Sequence, residues 1–228
     1  MKSVKICIFD AYGTLFDVHS AVMRNAEELG ECSEPLSALW RQRQLEYSWT
    51  RTLMCRYTDF WEITGHSLDF ALKTYKLERV EGLKGRLMNA YRELSAYPDA
   101  AETLRALKAM DLQTAILSNG TASMLDAALK ASNLSILLDA CLSVDSLKIY
   151  KPDPKVYQLA CDRFQVRPDE ICFISSNAWD VGGAASFGFN AVRINRQGAP
   201  LEYEFAPSCD QLQSLSELPA LLLRSNSI

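Results

Sequence analysis

Four short apolar runs punctuate the chain, and each stops at small or polar residues. Val4 to Phe9 runs into Asp10-Ala11-Tyr12-Gly13-Thr14. Leu112 to Leu117 precedes Ser118-Asn119-Gly120, Glu170 to Ile174 precedes Ser175-Ser176-Asn177, and Asn190 to Ile194 precedes Asn195-Arg196. Short apolar runs bounded by turn residues predict buried strands. Between the later runs the apolar positions change to helical spacing: Ala100, Leu104 and Leu107, then Met124, Leu125, Ala128 and Leu129, then Val156, Leu159, Ala160 and Phe164. Strand followed by helix, repeated, predicts an α/β fold with a parallel sheet and helices on both faces. Ligands of such open sheets lie beyond the carboxyl ends of the strands, so the polar ends of the four runs are expected to converge.

Residues 16 to 96 break this rhythm. They hold long helical patterns (Trp40, Leu45, Trp49, Leu53; Phe60, Trp61, Leu68, Leu72; Leu83, Leu87, Tyr91, Leu94) and no strand pattern. The expectation is a core formed by residues 1–15 and 97–228, with residues 16–96 inserted as an all-helical cap subdomain. The insertion closes at Tyr97-Pro98-Asp99, where proline punctuates the return. A cap over the strand ends would exclude water from a site there. The tail from Arg224 to Ile228 is expected to fray.

Composition narrows the partners. A chain of 228 residues with 48% hydrophobic content can bury a full core. Its net charge of -4 provides no basic field for a phosphate backbone, which excludes nucleic acid as a partner. No run is long enough to cross a membrane and no leader pattern precedes the first strand, so the expected setting is cytoplasmic, with no membrane partner. The seven cysteines show no CxxC spacing and read as reduced, buried thiols. Two histidines, His19 and His66, do not suit a His-rich zinc site and read as structural or exposed.

An Asp directly after an apolar strand stands at the ligand edge of a sheet, where it can serve as a nucleophile or simply cap a turn. Arg41, within Trp40-Arg41-Gln42-Arg43-Gln44, reads on spacing alone as a solvated arginine of a helix face. Lys151 reads as a loop cation or an anion contact. Leu45, Phe60, Tyr157 and Trp179 suit a core as well as a pocket.

The ordered set Phe9-Asp10-Ala11-Tyr12-Gly13-Thr14-Leu15, Leu117-Ser118-Asn119-Gly120, Tyr150-Lys151-Pro152-Asp153-Pro154 and Ser175-Ser176-Asn177-Ala178-Trp179-Asp180 changes the balance. It resembles the four motifs of the haloacid dehalogenase superfamily, over essentially the whole chain and including the helical insertion. The resemblance implies a Rossmann-like core. Most members are magnesium-dependent phosphatases, in which a second Asp follows two residues after the nucleophile and protonates the leaving alkoxide; here that residue is Tyr12. Halide leaves without a proton, so the loss of a general acid suits carbon–halogen cleavage. The fourth motif carries Ser175 and Asn177 where phosphatases place further carboxylates for Mg²⁺, leaving Asp180 as its acid. No metal or other cofactor is therefore expected.

The residues Tyr12, Thr14, Arg41, Gln42, Leu45, Phe60, Ser118, Asn119, Lys151, Tyr157, Ser175, Asn177, Trp179 and Asp180 resemble the (S)-2-haloacid dehalogenase branch. That resemblance implies attack by Asp10 on C2 of a small 2-halocarboxylate, with inversion, followed by hydrolysis of the ester. Asp180, with Lys151 and Asn177, would position or deprotonate the water. Ser118, Lys151 and the backbone N–H groups after Asp10, at Ala11 and Tyr12, would clamp the substrate carboxylate. Arg41 and Asn119 would receive the halide product, and Thr14 and Ser175 would orient carboxylates. Tyr12, Leu45, Phe60 and Trp179 would wall an apolar pocket, with Tyr157 also against substrate. The resemblance further implies a homodimer. The alternative within the superfamily is a magnesium-dependent small-molecule phosphatase of the phosphoglycolate phosphatase kind.

Overall fold

A computed structural model describes residues 4–203 and 209–225; the end of the tail expected to fray lies outside them. In chain order the strands and α-helices are β1 Ile6–Phe9, α1 Ser20–Met23, α2 Ala26–Leu29, α3 Ser33–Leu53, α4 Phe60–Thr74, α5 Leu83–Arg92, α6 Ala100–Ala109 and β2 Gln113–Ser118. There follow α7 Ala122–Ser132, β3 Ala140–Ser143, α8 Pro154–Phe164, β4 Ile171–Ser175, α9 Ala178–Phe187, β5 Asn190–Ile194, β6 Asp210–Leu212 and α10 Leu218–Ser225.

The six strands form one sheet in the order β3-β2-β1-β4-β5-β6, every pairing parallel. This is a Rossmann-type α/β fold. β1 and β4 are buried along their whole length, as central strands covered on both faces must be. The sequence pattern located the four inner strands within a residue or so of their ends. It missed β3 (Ala-Cys-Leu-Ser) and β6 (Asp-Gln-Leu), the two edges, because a short, half-exposed edge strand carries no continuous apolar run.

The order of the strands reverses at β1: the next strand in sequence, β2, lies on one side of it and β4 on the other. Loops from β1 and β4 therefore diverge and leave a crevice at their carboxyl ends, the usual ligand position in such sheets. Helices α1 to α5 all lie between β1 and β2 in sequence. The chain leaves and returns through adjacent segments, where Asp17 N–H donates to the Ser95 carbonyl (2.8 Å) and Tyr97 N–H to the Leu15 carbonyl (2.9 Å). α3 and α4 pack closely on one another, and the Trp40 indole N–H of α3 donates to the Thr64 carbonyl of α4 at 2.9 Å. α4 starts where Asp59 caps it, its carboxylate accepting from Glu62 N–H at 2.9 Å.

Candidate active site

Asp10 stands one residue beyond β1, with its N–H donating to the Ile174 carbonyl of β4 at 2.9 Å, so the sheet itself aims it into the crevice. Its side chain is 8% exposed. Oδ2 accepts from Asn177 Nδ2 (2.7 Å), Thr14 Oγ1 (3.2 Å) and Ser175 Oγ (3.5 Å), whereas Oδ1 accepts from Lys151 Nζ at 3.1 Å. The two hydroxyls are held in turn: Ser176 N–H donates to Thr14 Oγ1 (2.9 Å) and Asn177 N–H to Ser175 Oγ (3.1 Å). Hydrogen bonds of this kind fix the orientation of the carboxylate.

Lys151 is 1% exposed and bridges two acids, lying 2.7 Å from Asp180 Oδ2 as well as 3.1 Å from Asp10. Burial pulls its ammonium down, but the facing carboxylates of Asp10 and Asp180 outweigh that and hold its pKa above the usual lysine value. Asp180, in the first turn of α9, is fully buried. Its pKa is raised to about 6, chiefly by burial and further by Asp10, against the opposing pull of Lys151. The Tyr157 hydroxyl donates to Asp180 Oδ1 at 2.8 Å. Tyr157, which the resemblance placed against substrate, bonds to this acid from within an aromatic cluster with Phe173, Phe187 and Phe189. Gly183 makes this packing possible, because a Cβ there would lie 2.5 Å from the Tyr157 hydroxyl and 2.7 Å from Pro152. The backbone N–H of Lys151 donates to Asn119 Oδ1 at 3.0 Å, which ties the ends of two loops together.

Arg41 reaches across from α3. One terminal nitrogen donates to Gln44 Oε1 (2.8 Å), the other to the Tyr12 carbonyl (3.0 Å) and Asn177 Oδ1 (3.4 Å). The Asn177 amide therefore spans from Arg41 at its oxygen to Asp10 at its nitrogen. Gln44 and Tyr91 complete the support: the Tyr91 hydroxyl donates to Gln44 Oε1 (3.1 Å), and Gln44 Nε2 to Thr64 Oγ1 (2.7 Å). The sequence reading missed both Gln44 and Tyr91. The available signal was a polar residue on the apolar face of a helix, three places after Arg41. Gln42, grouped with Arg41 by resemblance, is instead exposed and bonded to Glu46.

Tyr12 occupies the place of the missing acid. Its ring stacks on Tyr91 (centroids 5.7 Å apart) and lies 5.9 Å from Phe60. Its buried hydroxyl has no hydrogen-bond partner among the described residues, and burial pushes its pKa well up. Gly120 admits the ring edge, since a Cβ there would be 2.6 Å from it. Ser118 is buried, its hydroxyl accepting from Gly120 N–H at 3.1 Å, and the Ala11 carbonyl accepts from the N–H groups of Thr14, Leu15 and Phe16.

The four expected pocket residues do not form one wall. Leu45 lines a cavity of about 490 Å³ together with Arg41 and Asn177, whereas Trp179 lines another of about 740 Å³ with Trp49, Lys151 and Phe187. Phe60 and Tyr12 are buried against each other and line neither. The division follows from helix geometry, because Asn177 caps α9 and Trp179, two residues later, faces the other way. His19 bonds to Ser37 Oγ at 2.7 Å and His66 is exposed.

Among the described residues no three His, Cys, Asp or Glu side chains are placed to hold a metal ion. Mg²⁺ takes carboxylates with water and phosphate oxygens, whereas here an ammonium lies between Asp10 and Asp180; the donor set does not fit. No helix among the described residues is long and apolar enough to cross a membrane.

The family model for haloacid dehalogenase-like hydrolase matches residues 4–188. The chain is 67% identical to (S)-2-haloacid dehalogenase 4A of Burkholderia cepacia, covering 99% of this chain and 97% of that one. It is 64% identical to (S)-2-haloacid dehalogenase 1 of Pseudomonas sp. (strain CBS-3), covering 98% and 99%. The L-2-haloacid dehalogenase of Xanthobacter autotrophicus, solved with chloropropionic acid covalently bound, superposes with a TM-score of 0.88 at 38% identity, covering 96% of this chain and 98% of that one. With a sheet of this order, Asp10 at its switch point and likeness over nearly the whole length, the chain belongs to the haloacid dehalogenase-like hydrolase family.

Proposed function

We propose that this protein is an (S)-2-haloacid dehalogenase, hydrolysing short (S)-2-haloalkanoates to (R)-2-hydroxyalkanoates and halide with Asp10 as nucleophile. The observation that carries the reading is the asymmetric hold on Asp10 in a site with no proton donor two residues on. Three donors fix Oδ2, which leaves Oδ1, with Lys151 as its one partner, as the attacking oxygen.

In the first step Oδ1 forms a bond to C2 from the face opposite the halogen, and the carbon–halogen electron pair departs as halide. No proton is needed, in keeping with a Tyr12 hydroxyl that burial keeps protonated. Arg41 and Asn119 take up the departing charge, while Ser118, Lys151 and the N–H groups of Ala11 and Tyr12 hold the carboxylate. In the second step water adds to the Asp10 carboxyl carbon. Asp180 accepts its proton, and collapse releases the hydroxyacid and regenerates the carboxylate. Thr14, Ser175 and Asn177 hold Asp10 in place through both steps, and Tyr157 does so for Asp180. Residues 16–96 act as a cap that excludes water, which strengthens each of these charge interactions. The relatives named (S)-2-haloacid dehalogenase support the substrate class.

We also propose a homodimer in the cytoplasm: all seven cysteines are free, and Leu53 and Met54 at the end of α3 are 83% and 60% exposed, as an apolar surface awaiting a partner copy would be.

The test is chloride release from (S)-2-chloropropionate by EDTA-treated protein, with the product's configuration read by chiral chromatography. Sustained release with (R)-lactate as product is expected. Activity lost to the chelator, or confined to phosphate esters, would overturn the reading in favour of a phosphatase.

A further inference from the structure

Arg193 lies on β5 opposite Ser175 of β4 in register and is only 6% exposed. Burying a guanidinium is costly unless a carboxylate or several hydrogen bonds compensate. Among the described residues its side chain makes one hydrogen bond, from a terminal nitrogen to the Pro200 carbonyl at 3.0 Å; its Nε has no partner there, and it forms no ion pair. Arg196 shows what a compensated arginine looks like in the same neighbourhood. It makes a forked pair with Asp99 (2.7 and 2.9 Å) and lies over the Tyr97 ring at 4.0 Å.

Arg193, Arg196 and Arg41 all line the cavity of about 490 Å³ beside the site. Asp17 is the one acid of the lining among the described residues. Arg196 is neutralised by Asp99 from outside the lining, so Arg193 and Arg41 leave the cavity positive overall. The buried Ser176 hydroxyl, also in the lining, has no partner either. Asn177 lines the cavity and donates to Asp10 Oδ2 at 2.7 Å, so a single side chain joins the lining to the nucleophile.

We propose that this cavity is a second anion site, in which Arg193 binds small monoanions on their way to and from Asp10. The inference rests on the dehalogenase reading for the identity of those anions. Substrate carboxylate and halide product share the chemistry it recognises, a single negative charge on a small body. A positive, low-dielectric recess concentrates such ions at the mouth of the site. The Arg193 side chain bonds to the Pro200 carbonyl and to none of the side chains that hold Asp10, so it is a binding residue and takes no part in the reaction itself.

The test combines kinetics with ion binding in the full-length protein. Arg193→Gln should lower kcat/KM for (S)-2-chloropropionate about tenfold at low ionic strength, through KM, with kcat within about twofold of the parent. The fall in kcat/KM with added salt should flatten, and Arg193→Lys should recover most of both effects. Crystals of the parent protein soaked in bromide should show an anomalous peak against the Arg193 guanidinium. Chloride release with no bromide there would overturn this proposal, as would an Arg193→Gln enzyme with parental kcat/KM and salt dependence, or an Arg193→Lys enzyme as impaired as Arg193→Gln. If Arg193→Gln does not fold, the bromide peak and the Arg193→Lys kinetics decide. Bromide bound beside Arg193 in a protein that never releases chloride would instead sink the dehalogenase reading and leave the anion site standing.

Discussion

Asp10 and Asp180 are buried within reach of one ammonium, which supplies the countercharge that both carboxylates face. Removing one partner of a buried ion pair leaves an uncompensated charge and costs about 3–5 kcal/mol. Lys151→Met should therefore lower the melting temperature by about 10 °C and abolish halide release, measured by calorimetry and an ion-selective electrode. Asp180→Asn separates the two chemical steps. Attack by Asp10 survives while water activation is lost, so alkylated Asp10 should accumulate and appear in the intact mass after exposure to (S)-2-chloropropionate; a parental mass would assign the base elsewhere. Because burial raises the Asp180 pKa to about 6, its reactive anion is lost as pH falls. Turnover limited by ester hydrolysis should be half-maximal near that pH, flat above it and reduced to about a tenth at pH 5. A profile that rises toward acid would mean that Asp180 acts as a proton donor. Asp10 and Lys151 were legible at this scale because each stands in a contiguous motif, but Gln44 and Tyr91 were not. Together they support Arg41, and Tyr91 of α5 meets Gln44 of α3 only in the folded protein.

At the scale of elements, the loop between α3 and α4 is clasped to the loop that carries Lys151. Tyr57 stacks on Tyr150 with centroids 5.1 Å apart and its hydroxyl donates to Asp145. Tyr150 in turn donates its hydroxyl to the Thr58 carbonyl, and its N–H to Thr52 Oγ1 at 3.1 Å. The residue before Lys151 is thus tied to the helical segment through both its backbone and its side chain. Tyr57→Phe keeps the ring and removes one charge-assisted bond, so stability should fall by about 1–2 kcal/mol. KM should rise more than kcat falls, because the segment closes less firmly over substrate. Equal loss in both constants would separate the clasp from closure. None of this was legible in the sequence, since Tyr57, Asp145 and Tyr150 belong to three unrelated stretches. The long helices were, because amphipathic spacing is local.

The whole molecule places its chemistry through strand order. β1 and β4 are adjacent although some 160 residues separate them, and their neighbouring ends bring Asp10 to Ser175 and Asn177. With Lys151 between the acids, chelation should leave the rate of halide release within about twofold of the untreated enzyme, a prediction checked by dialysis against EDTA. The sequence by itself determined the strand and helix alternation of the core, the helical run inserted after the first strand, and the motif around Asp10 with its departures from a phosphatase pattern. These are properties of periodicity and of contiguous motifs. Only the tertiary structure decided that Tyr157 bonds to Asp180, that Leu45 and Trp179 face different cavities, and that Arg193 is buried without an acid among the described residues. Such facts depend on which surfaces meet when distant segments pack, and on which charges that packing leaves uncompensated. No local pattern encodes either.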